Sequence, residues 1–263
     1  MLNSLATRHC EICPAPSTTT LTRFSPPDWP LVACDGCGFV FLERTPDYDQ
    51  LVDEFAWEKQ HAKETKRRLM SVIGKLDKIT RLRTHIGRAI DDAGMLRTLR
   101  NGTTTALEIG CGWDTRIPEP IIPFGIEISA TMAAAADVRL RQRGGSALHA
   151  PALTGLAQFP DKHFDAILMR SYLEHERSAR RVLQESRRVL KDGGSIYVRV
   201  PNYGSINRRV MGRRWCGFRF PDHVNYFTPS SLKALASAAG FSYRRINWLS
   251  PFDDNIICLL SKS

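Results

Sequence analysis

Short apolar runs alternate with longer amphipathic segments in the chain beyond Asn101. The apolar runs predict strands near residues 105–110, 123–129, 146–150, 164–170 and 195–200. Apolar positions at helical spacing predict helices near residues 130–143, 177–190 and 229–239. Strands that alternate with helices in this way are typical of an α/β protein with a parallel, doubly wound sheet.

The last predicted helix has recognisable boundary residues. Thr228 fits the N-cap, Pro229 the first helical position, and Gly240 the position just past the end. Two further apolar runs, at residues 243–249 and 255–260, flank a polar turn at residues 251–254. They predict a hairpin after the last helix.

Residues 47–102 form a charged segment that contains no proline. Apolar residues recur along it at helical spacing: Leu69, Val72, Ile73, Leu76, Ile79, Leu82, Ile86 and Ile90. This period predicts one or two amphipathic helices that connect an N-terminal module to the main domain at residues 103–263. The connector would act either as a spacer or as a lid over a substrate site, and the pattern leaves both open.

Four cysteines near the N-terminus stand in two pairs. Cys10 and Cys13 are separated from Cys34 and Cys37 by twenty residues. Two Cys-x2-Cys knuckles place four thiolates around one tetrahedral metal ion, and the pattern favours structural zinc, with iron as the alternative for the same ligands. Residues 1–46 are therefore predicted to be a four-cysteine zinc-binding module. The other three cysteines are scattered, so no disulfide framework is indicated.

The stretch Ala106-Leu-Glu-Ile-Gly-Cys-Gly112 joins a predicted strand to a glycine turn. Glu127 follows Gly112 by fifteen residues and ends the next predicted strand. Glycines let the backbone approach a ligand closely, and a carboxylate at the second strand end accepts hydrogen bonds from ribose hydroxyls. Together they indicate a site for an adenosine-containing cofactor at the carboxyl edge of the sheet.

Several segments in the same order resemble the class I S-adenosylmethionine-dependent methyltransferases, in particular the branch with an N-terminal four-cysteine zinc module. The matching segments are Leu107–Gly112, Gly125–Ser129, Phe159–Ile167, Leu173–His175, Arg188–Gly194, Val200–Asn202 and Pro221–Phe227. The likeness spans nearly the whole chain, and seven ordered matches are far more specific than any single one.

This resemblance implies a seven-stranded, Rossmann-like sheet of order 3-2-1-4-5-7-6 with the seventh strand antiparallel. It implies methyl transfer by in-line displacement, for which the protein mainly aligns the reactants in a dry site and at most removes a proton. The cofactor-binding positions it implies are Glu108, Gly110, Cys111, Gly112, Glu127, Ile128 and Arg170.

Two histidines are candidates for the base, because a histidine titrates near neutral pH. His175 follows the fourth strand, and His223 lies in the segment where the family places substrate contacts. Candidate substrate-binding residues are Glu174, Arg213, Arg214 and Tyr226. A purely structural role for either histidine stays open.

The chain departs from the family pattern at two places. Asp114 replaces a third glycine, and three prolines follow it, at 118, 120 and 123. Because proline interrupts a helix, we predict that the first crossover helix is missing or reduced to a turn. No Asp or Glu lies between Arg143 and Pro160 to contact the adenine amino group. Either backbone carbonyls near Ala150 serve instead, or the adenine site is weakened.

The formal net charge of +10 favours anionic partners. Much of the positive charge lies at helical spacing, which is typical of a solvated surface; the cluster of Arg208, Arg209, Arg213, Arg214 and Arg219 is not so placed. Arginines of this kind are suited to phosphate or diphosphate. No apolar run is long enough to predict a membrane span, so a soluble, cytoplasmic protein is expected.

Three functions are compatible with these residues. The leading one is methyl transfer to a small or carrier-linked biosynthetic substrate, such as a nucleotide-linked sugar. The first alternative is methylation of ribosomal or transfer RNA, which would show steeply salt-dependent binding. The second is a non-catalytic binding or regulatory protein that no longer binds the cofactor.

Overall fold

The computed structural model describes residues 6–14, 17–45, 94–95, 97–99, 102–247 and 254–262 of the 263-residue chain. The connector helices predicted from the apolar positions at 69–90 lie outside the described residues. At the end of that segment, residues 94, 95, 97 and 98 are helical. The Leu99 N–H donates to the Met95 carbonyl at 3.0 Å.

The main domain is built on one seven-stranded sheet. Its strands in chain order are β6 (Thr105–Ile109), β7 (Ile122–Glu127), β8 (Ser146–His149), β9 (Phe164–Arg170), β10 (Leu190–Pro201), β12 (Phe241–Arg245) and β13 (Asn255–Lys262). They lie in the order β12-β13-β10-β9-β6-β7-β8, and β13 runs antiparallel to both of its neighbours. The order that the family resemblance implied is thus confirmed, and so is the predicted hairpin.

Five helices are described in the main domain: α1 (Ala130–Arg141), α2 (Ala152–Leu156), α3 (Ala179–Val189), α4 (Ile206–Met211) and α5 (Pro229–Ala238). A 3-10 turn, Gly212–Arg214, follows α4. The predicted helices near 130, 177 and 229 correspond to α1, α3 and α5. The short helices α2 and α4 were not predicted, because five or six residues are too few to show a helical period.

The segment between β6 and β7 contains turns and no helix. This outcome agrees with the prediction from its prolines. Ile117 and Ile121 from this segment pack in a buried cluster with Met95 and Leu99 against one face of the sheet. The end of the connector and an irregular loop therefore cover apolar surface that a crossover helix covers in an ordinary doubly wound sheet.

Helix α5 begins with a capping box. The Ser231 N–H donates to Thr228 Oγ1 at 3.1 Å, and the Thr228 N–H donates to Ser231 Oγ at 2.9 Å. Pro229 occupies the first turn, and Gly240 follows the helix with a φ of +84°. These positions match the boundary signals in the sequence.

Replacing this cap gives a first testable outcome. Thr228→Ala removes the acceptor for the Ser231 N–H, so we expect the free energy of unfolding to fall by about 1 kcal/mol. The exposed Ser237, near the other end of the helix, is the matched control, and Ser237→Ala should change stability by less than about 0.5 kcal/mol. Urea unfolding measures both, and equal effects would contradict the capping role.

The N-terminal module contributes strands β1 (Ala6–Thr7), β2 (Thr18–Thr20), β3 (Leu31–Cys34), β4 (Val40–Leu42) and β5 (Arg44–Thr45). Strands β2 to β4 form an antiparallel sheet, whose fourth strand is β11 (Asn225–Tyr226) of the main domain. Asn225 pairs with Phe41, and Tyr226 pairs with Val40. The module is therefore joined to the main domain by backbone hydrogen bonds, which the sequence did not predict.

Side chains of the module also enter the main hydrophobic core. Phe39 stacks on Phe227 with ring centroids 5.4 Å apart, and both belong to the same buried cluster as Leu173 and Val200. Burial of large aromatic rings dominates the energetics of such an interface. The module and the sheet consequently share one core.

Among the helices that the structure describes, none is both long and apolar enough to span a bilayer.

Candidate cofactor and catalytic site

The turn after β6 takes a backbone conformation that favours glycine. Gly110 has a φ of +75° and Gly112 a φ of +65°. A Cβ at Gly110 would lie 3.3 Å from the Tyr172 ring, whereas a Cβ at Gly112 would meet nothing within 4 Å. The space beside Gly112 is thus open at the carboxyl edge of the sheet, where doubly wound sheets bind ligands.

Glu127 lies at the end of β7 and faces this turn. Its Oε2 accepts the Gly112 N–H at 2.9 Å, and its Oε1 accepts the Ser129 N–H at 3.0 Å. The side chain is 8% exposed. Each carboxylate oxygen can accept a second hydrogen bond, so Glu127 holds the glycine turn and still has acceptor capacity for a ligand.

Glu108 is held from the loop that replaces the crossover helix. Its Oε2 accepts the Thr115 hydroxyl at 2.7 Å and the Arg116 N–H at 3.0 Å. Burial raises its carboxyl pKa, while these hydrogen bonds and the charge of Arg170, at the end of β9, oppose the rise. The irregular loop is therefore anchored on a buried acid beside the proposed cofactor edge.

Cys111 and Ile128 are less direct candidates. The Cys111 thiol packs against Ala136, Leu140 and Ala147, and burial raises its pKa to about 12. Its contribution to a ligand would therefore come from its backbone. The Ile128 carbonyl lies 3.0 Å from His149 Nε2.

The loop after β9 carries backbone strain. Ser171 has a φ of +53°, which is rare for a residue with a side chain, and its N–H donates to the Arg199 carbonyl at 2.8 Å. Such residues cost about 1–3 kcal/mol and cluster at functional sites. The strained residue precedes the segment that carries Glu174 and His175.

The structure brings the two candidate histidines together. Their rings lie 4.7 Å apart at an angle of 85°. His175 Nδ1 lies 3.0 Å from Asp222 Oδ1 and 2.9 Å from the Asp222 carbonyl, and His223 Nδ1 lies 2.9 Å from the Gly217 carbonyl. Because a carbonyl only accepts, each Nδ1 carries the proton and donates it, and each Nε2 is directed elsewhere.

The charges of the pair differ. Burial disfavours a charged ring, but the Asp222 carboxylate outweighs burial and raises the pKa of His175 to about 9. Burial alone would raise the pKa of the Asp222 carboxyl. The charge of His175 outweighs burial and lowers the Asp222 pKa to about 2. Burial and the charge of His175 lower the pKa of His223 well below its usual range. Without a ligand, His175 is charged and His223 is neutral at pH 7.

Glu174 is 1% exposed, and burial raises its carboxyl pKa. Among the residues that the structure describes, its Oε2 has no hydrogen-bond partner. Its backbone carbonyl accepts the N–H groups of Val224 and Asn225 at 2.7 and 3.0 Å. The segment that carries His223 is thereby fixed against the segment that carries His175.

The predicted substrate residues divide into two groups. Tyr226 is 2% exposed, and its hydroxyl has no hydrogen-bond partner among the described residues. Burial and the charge of Asp222 raise the pKa of this hydroxyl. Arg213 and Arg214 are exposed on the 3-10 turn. In the described part of the chain, no hydrogen bond or ion pair joins these arginines to the histidine pair.

Two other arginines of the basic cluster have structural partners. The Arg208 guanidinium donates to the Tyr203 carbonyl at 2.8 Å and lies 4.1 Å from the centre of the Tyr203 ring. Arg219 forms an ion pair with Asp222 at 3.3 Å. The basic cluster is thus only partly available to a ligand.

Three residues that contact the segments around the histidine pair were not predicted from the sequence. Asp222 orients His175, and the Asn225 amide donates to the carbonyls of Leu173 and Glu176 at 2.8 and 2.7 Å. Arg8, from the N-terminal module, donates to the Val224 carbonyl and to Asn225 Oδ1, each at 2.8 Å. Asp222 could have been found from its place beside His223, but no local signal indicates Arg8.

The four predicted zinc ligands form one cluster. The Sγ atom of Cys10 lies 4.0 Å from that of Cys13 and 3.5 Å from that of Cys37, and the Sγ atoms of Cys13 and Cys34 are 3.5 Å apart. A tetrahedral zinc site with bonds of about 2.3 Å separates its sulfurs by about 3.8 Å. The cluster therefore fits a zinc ion and brings together all four predicted residues.

Comparisons with known proteins agree with this architecture. A family model described as a methyltransferase domain matches residues 76–246. An uncharacterized protein of Methanocaldococcus jannaschii is 27% identical over 136 residues, which are 51% of this chain and 63% of that protein. The chain thus spans less than two thirds of that relative.

Solved structures also share the fold. The YcgJ protein of Bacillus subtilis aligns with a TM-score of 0.52 and 16% identity, over 66% of this chain and 98% of its own. A SAM-dependent methyltransferase from Aquifex aeolicus aligns with a TM-score of 0.50 and 16% identity, over 66% and 89% of the two chains. At these identities the likeness concerns the fold.

The family match covers well over half of the chain. The fold and the glycine turn with its carboxylate define the class, that of the S-adenosylmethionine-dependent methyltransferases of class I. The chain belongs to the methyltransferase domain family.

Proposed function

We propose that this protein transfers a methyl group from S-adenosylmethionine to an anionic small-molecule or carrier-linked substrate. The observation that supports the proposal is that the loop carrying His175 also carries Tyr172, which lies against the glycine turn. The Tyr172 ring lies against Gly110 of the glycine turn, and His175 follows it by three residues. A donor at the turn and an acceptor at the histidines would therefore be neighbours.

The residues at the turn fit this cofactor. Glu127 would accept the ribose hydroxyls, the backbone of residues 110–112 would lie along the ligand, and Glu108 and Arg170 would border it. S-adenosylmethionine supplies a methyl group on a sulfonium, which needs no further activation. The protein accordingly has to align a nucleophile with that methyl and exclude water.

The histidine pair provides a place for the nucleophile's proton. In the protein without further ligands, His223 Nε2 is the better acceptor, because the His223 ring is neutral at pH 7 whereas the raised pKa of His175 keeps that ring charged. As the nucleophile bonds to the methyl carbon, the carbon–sulfur electron pair stays on sulfur and the proton moves to the nitrogen. His175, fixed by Asp222, would position the substrate.

The substrate is proposed to be anionic, for instance a nucleotide-linked sugar. The net charge of +10 and the exposed Arg213 and Arg214 support this class. The N-terminal module packs against the segment that carries His223, which favours a compact substrate at the histidines over a long polymer.

The proposal can be tested with an assay that does not require the methylated product to be known. Release of S-adenosylhomocysteine is followed with a panel of nucleoside diphosphate sugars and, separately, with RNA. We expect turnover with a member of the sugar panel. Turnover with RNA alone, falling steeply with salt, would favour the RNA alternative, and binding of S-adenosylhomocysteine without any turnover would favour a non-catalytic role.

Replacement of His223 should separate catalysis from cofactor binding. His223→Asn removes Nε2 as a proton acceptor, so we expect the turnover number to fall by about 10²–10⁴-fold. Binding of S-adenosylhomocysteine, measured by calorimetry, should stay within about threefold of wild type because the residue lies outside the glycine turn. A variant with full turnover would rule out a role of His223 in the reaction.

A further inference from the structure

We propose that Glu174, His175 and His223 bind a divalent transition-metal ion. One ligand atom from each of the three side chains lies within 4.8 Å of the other two. An ion about 2.1 Å from each ligand holds the ligands about 3–3.5 Å apart, so side-chain movements of no more than about 1–2 Å would close the site. This site is separate from the four-cysteine cluster.

The hydrogen bonds of both histidines support the assignment. A histidine that binds a metal through one nitrogen usually donates its other N–H to a carboxylate or a carbonyl. His175 donates from Nδ1 to Asp222, and His223 donates from Nδ1 to the Gly217 carbonyl. Both rings therefore keep Nε2 for a metal: His223 offers it directly, and His175 would offer it after its Nε2 proton has left to solvent.

The buried carboxylate of Glu174 is a second, independent indication of a bound cation. A buried carboxylate oxygen without a partner is costly, because neither water nor a donor compensates for its desolvation. Glu174 is 1% exposed, and its Oε2 has no hydrogen-bond partner in the described part of the chain. A metal ion at this oxygen would supply the missing positive charge.

The ligand set indicates the kind of ion. Two imidazoles and one carboxylate suit zinc, iron(II), manganese(II) or cobalt(II), whereas calcium prefers oxygen ligands only. Three protein ligands leave further coordination positions open, as in catalytic rather than structural sites. The His175 side chain is 25% exposed, so the cluster is reachable from solvent.

For the reaction, this inference rests on the proposed function. A hydroxyl oxygen of the substrate would occupy an open position, and the ion would lower its pKa as it does for bound water. The proton would then leave to solvent, and both histidines would act as ligands instead of His223 acting as the base. The substrate class that follows is one whose methylated atom is a hydroxyl oxygen.

Manganese(II) is the probe for this site. Manganese favours nitrogen and oxygen ligands and lies below zinc in affinity, so it should not displace zinc from four thiolates. Protein loaded with one zinc ion per chain, enough for the four thiolates alone, is titrated with Mn²⁺, and the free ion is followed by electron paramagnetic resonance. We expect one Mn²⁺ bound per chain, and the same titration on Glu174→Gln should show at least a tenfold loss of affinity.

Two further variants sharpen the result. Asp222→Asn, which alters the support of His175, should weaken Mn²⁺ binding by about 10–100-fold. Glu176→Gln is the matched control, because Glu176 is also a buried acid but accepts the Ser178 N–H and lies outside the cluster. Far-UV circular dichroism and S-adenosylhomocysteine binding verify that each variant is folded.

The readout does not depend on turnover. Mn²⁺ binding that is lost in Glu174→Gln and kept in Glu176→Gln supports the site even if no methylation substrate is found. The absence of binding to folded wild-type protein overturns it, as does equal binding by wild type and Glu174→Gln. Turnover that persists in protein without Mn²⁺ binding would leave the proposed function standing and the metal site refuted.

Discussion

Loss of the proposed zinc ligand Cys34 is expected to disorder the N-terminal module and to abolish methyl transfer. Cys34 is buried within the cysteine cluster, and structural zinc contributes about 10–16 kcal/mol of apparent folding free energy in small zinc domains. In Cys34→Ser we expect the melting temperature to fall by about 10 °C or more, since each kcal/mol of stability is worth about 2–4 °C. Scanning calorimetry measures this change.

The loss should reach the histidine pair because the module supports the segment around it. Strand β4 pairs with β11, and the Arg8 guanidinium, 8% exposed, donates to the Val224 carbonyl beside His223. Without the module, this carbonyl and the strand edge lose their partners. Hydrogen exchange at residues 224–226 should therefore accelerate in the variant.

Two controls isolate the cause. Cys216 is exposed and lies outside the metal cluster, so Cys216→Ser should retain wild-type melting. Arg8→Met keeps all four zinc ligands but removes the hydrogen bonds to Val224 and Asn225, so it should keep its zinc while turnover falls at least tenfold. Normal exchange at residues 224–226 in Cys34→Ser would show that the module does not support the site.

Glu127→Ala is expected to weaken S-adenosylhomocysteine binding by at least about 100-fold. Two hydrogen bonds from ribose hydroxyls to a carboxylate are worth about 1.5–3 kcal/mol each, and a tenfold change corresponds to about 1.4 kcal/mol. The variant also releases the Gly112 N–H, which Glu127 Oε2 accepts at 2.9 Å, so the glycine turn loses its support. Both effects act in the same direction.

Calorimetry of zinc-loaded protein with S-adenosylhomocysteine measures this affinity. Glu185→Ala is the control, because its carboxylate pairs with Arg188 on helix α3 and lies away from the turn. We expect the control to bind within about twofold of wild type. If wild-type protein failed to bind, methyl transfer itself would be refuted; if Glu127→Ala bound normally, the ribose assignment alone would fall.

Elements governed by local pattern were predictable from the sequence. The strands near 105, 164 and 195 and the helix at 229 were found because side-chain period and capping residues are local properties. The prolines after Gly112 likewise excluded a helix, since proline lacks the amide hydrogen that a helix needs. The cysteine spacing and the glycine turn indicated their sites for the same reason.

Partners that are distant in sequence could not be predicted in this way. Nothing near Arg8 indicates that its side chain contacts Val224, and strand β4 carries no signal that selects β11 as its neighbour. Met95 and Ile117 likewise meet on one sheet face only after the chain has folded. Such pairings depend on how the faces of strands and loops that are distant in sequence pack against one another in the folded protein.

The sequence by itself determined the class of fold, the four-cysteine pattern, the glycine turn with Glu127 and the two candidate histidines. Only the tertiary structure decided that these histidines lie 4.7 Å apart, and that Glu174 is buried beside them with an oxygen that no described residue pairs. The physical reason is that residue type and spacing fix local conformation, whereas protonation, desolvation and metal binding depend on groups that only folding brings together.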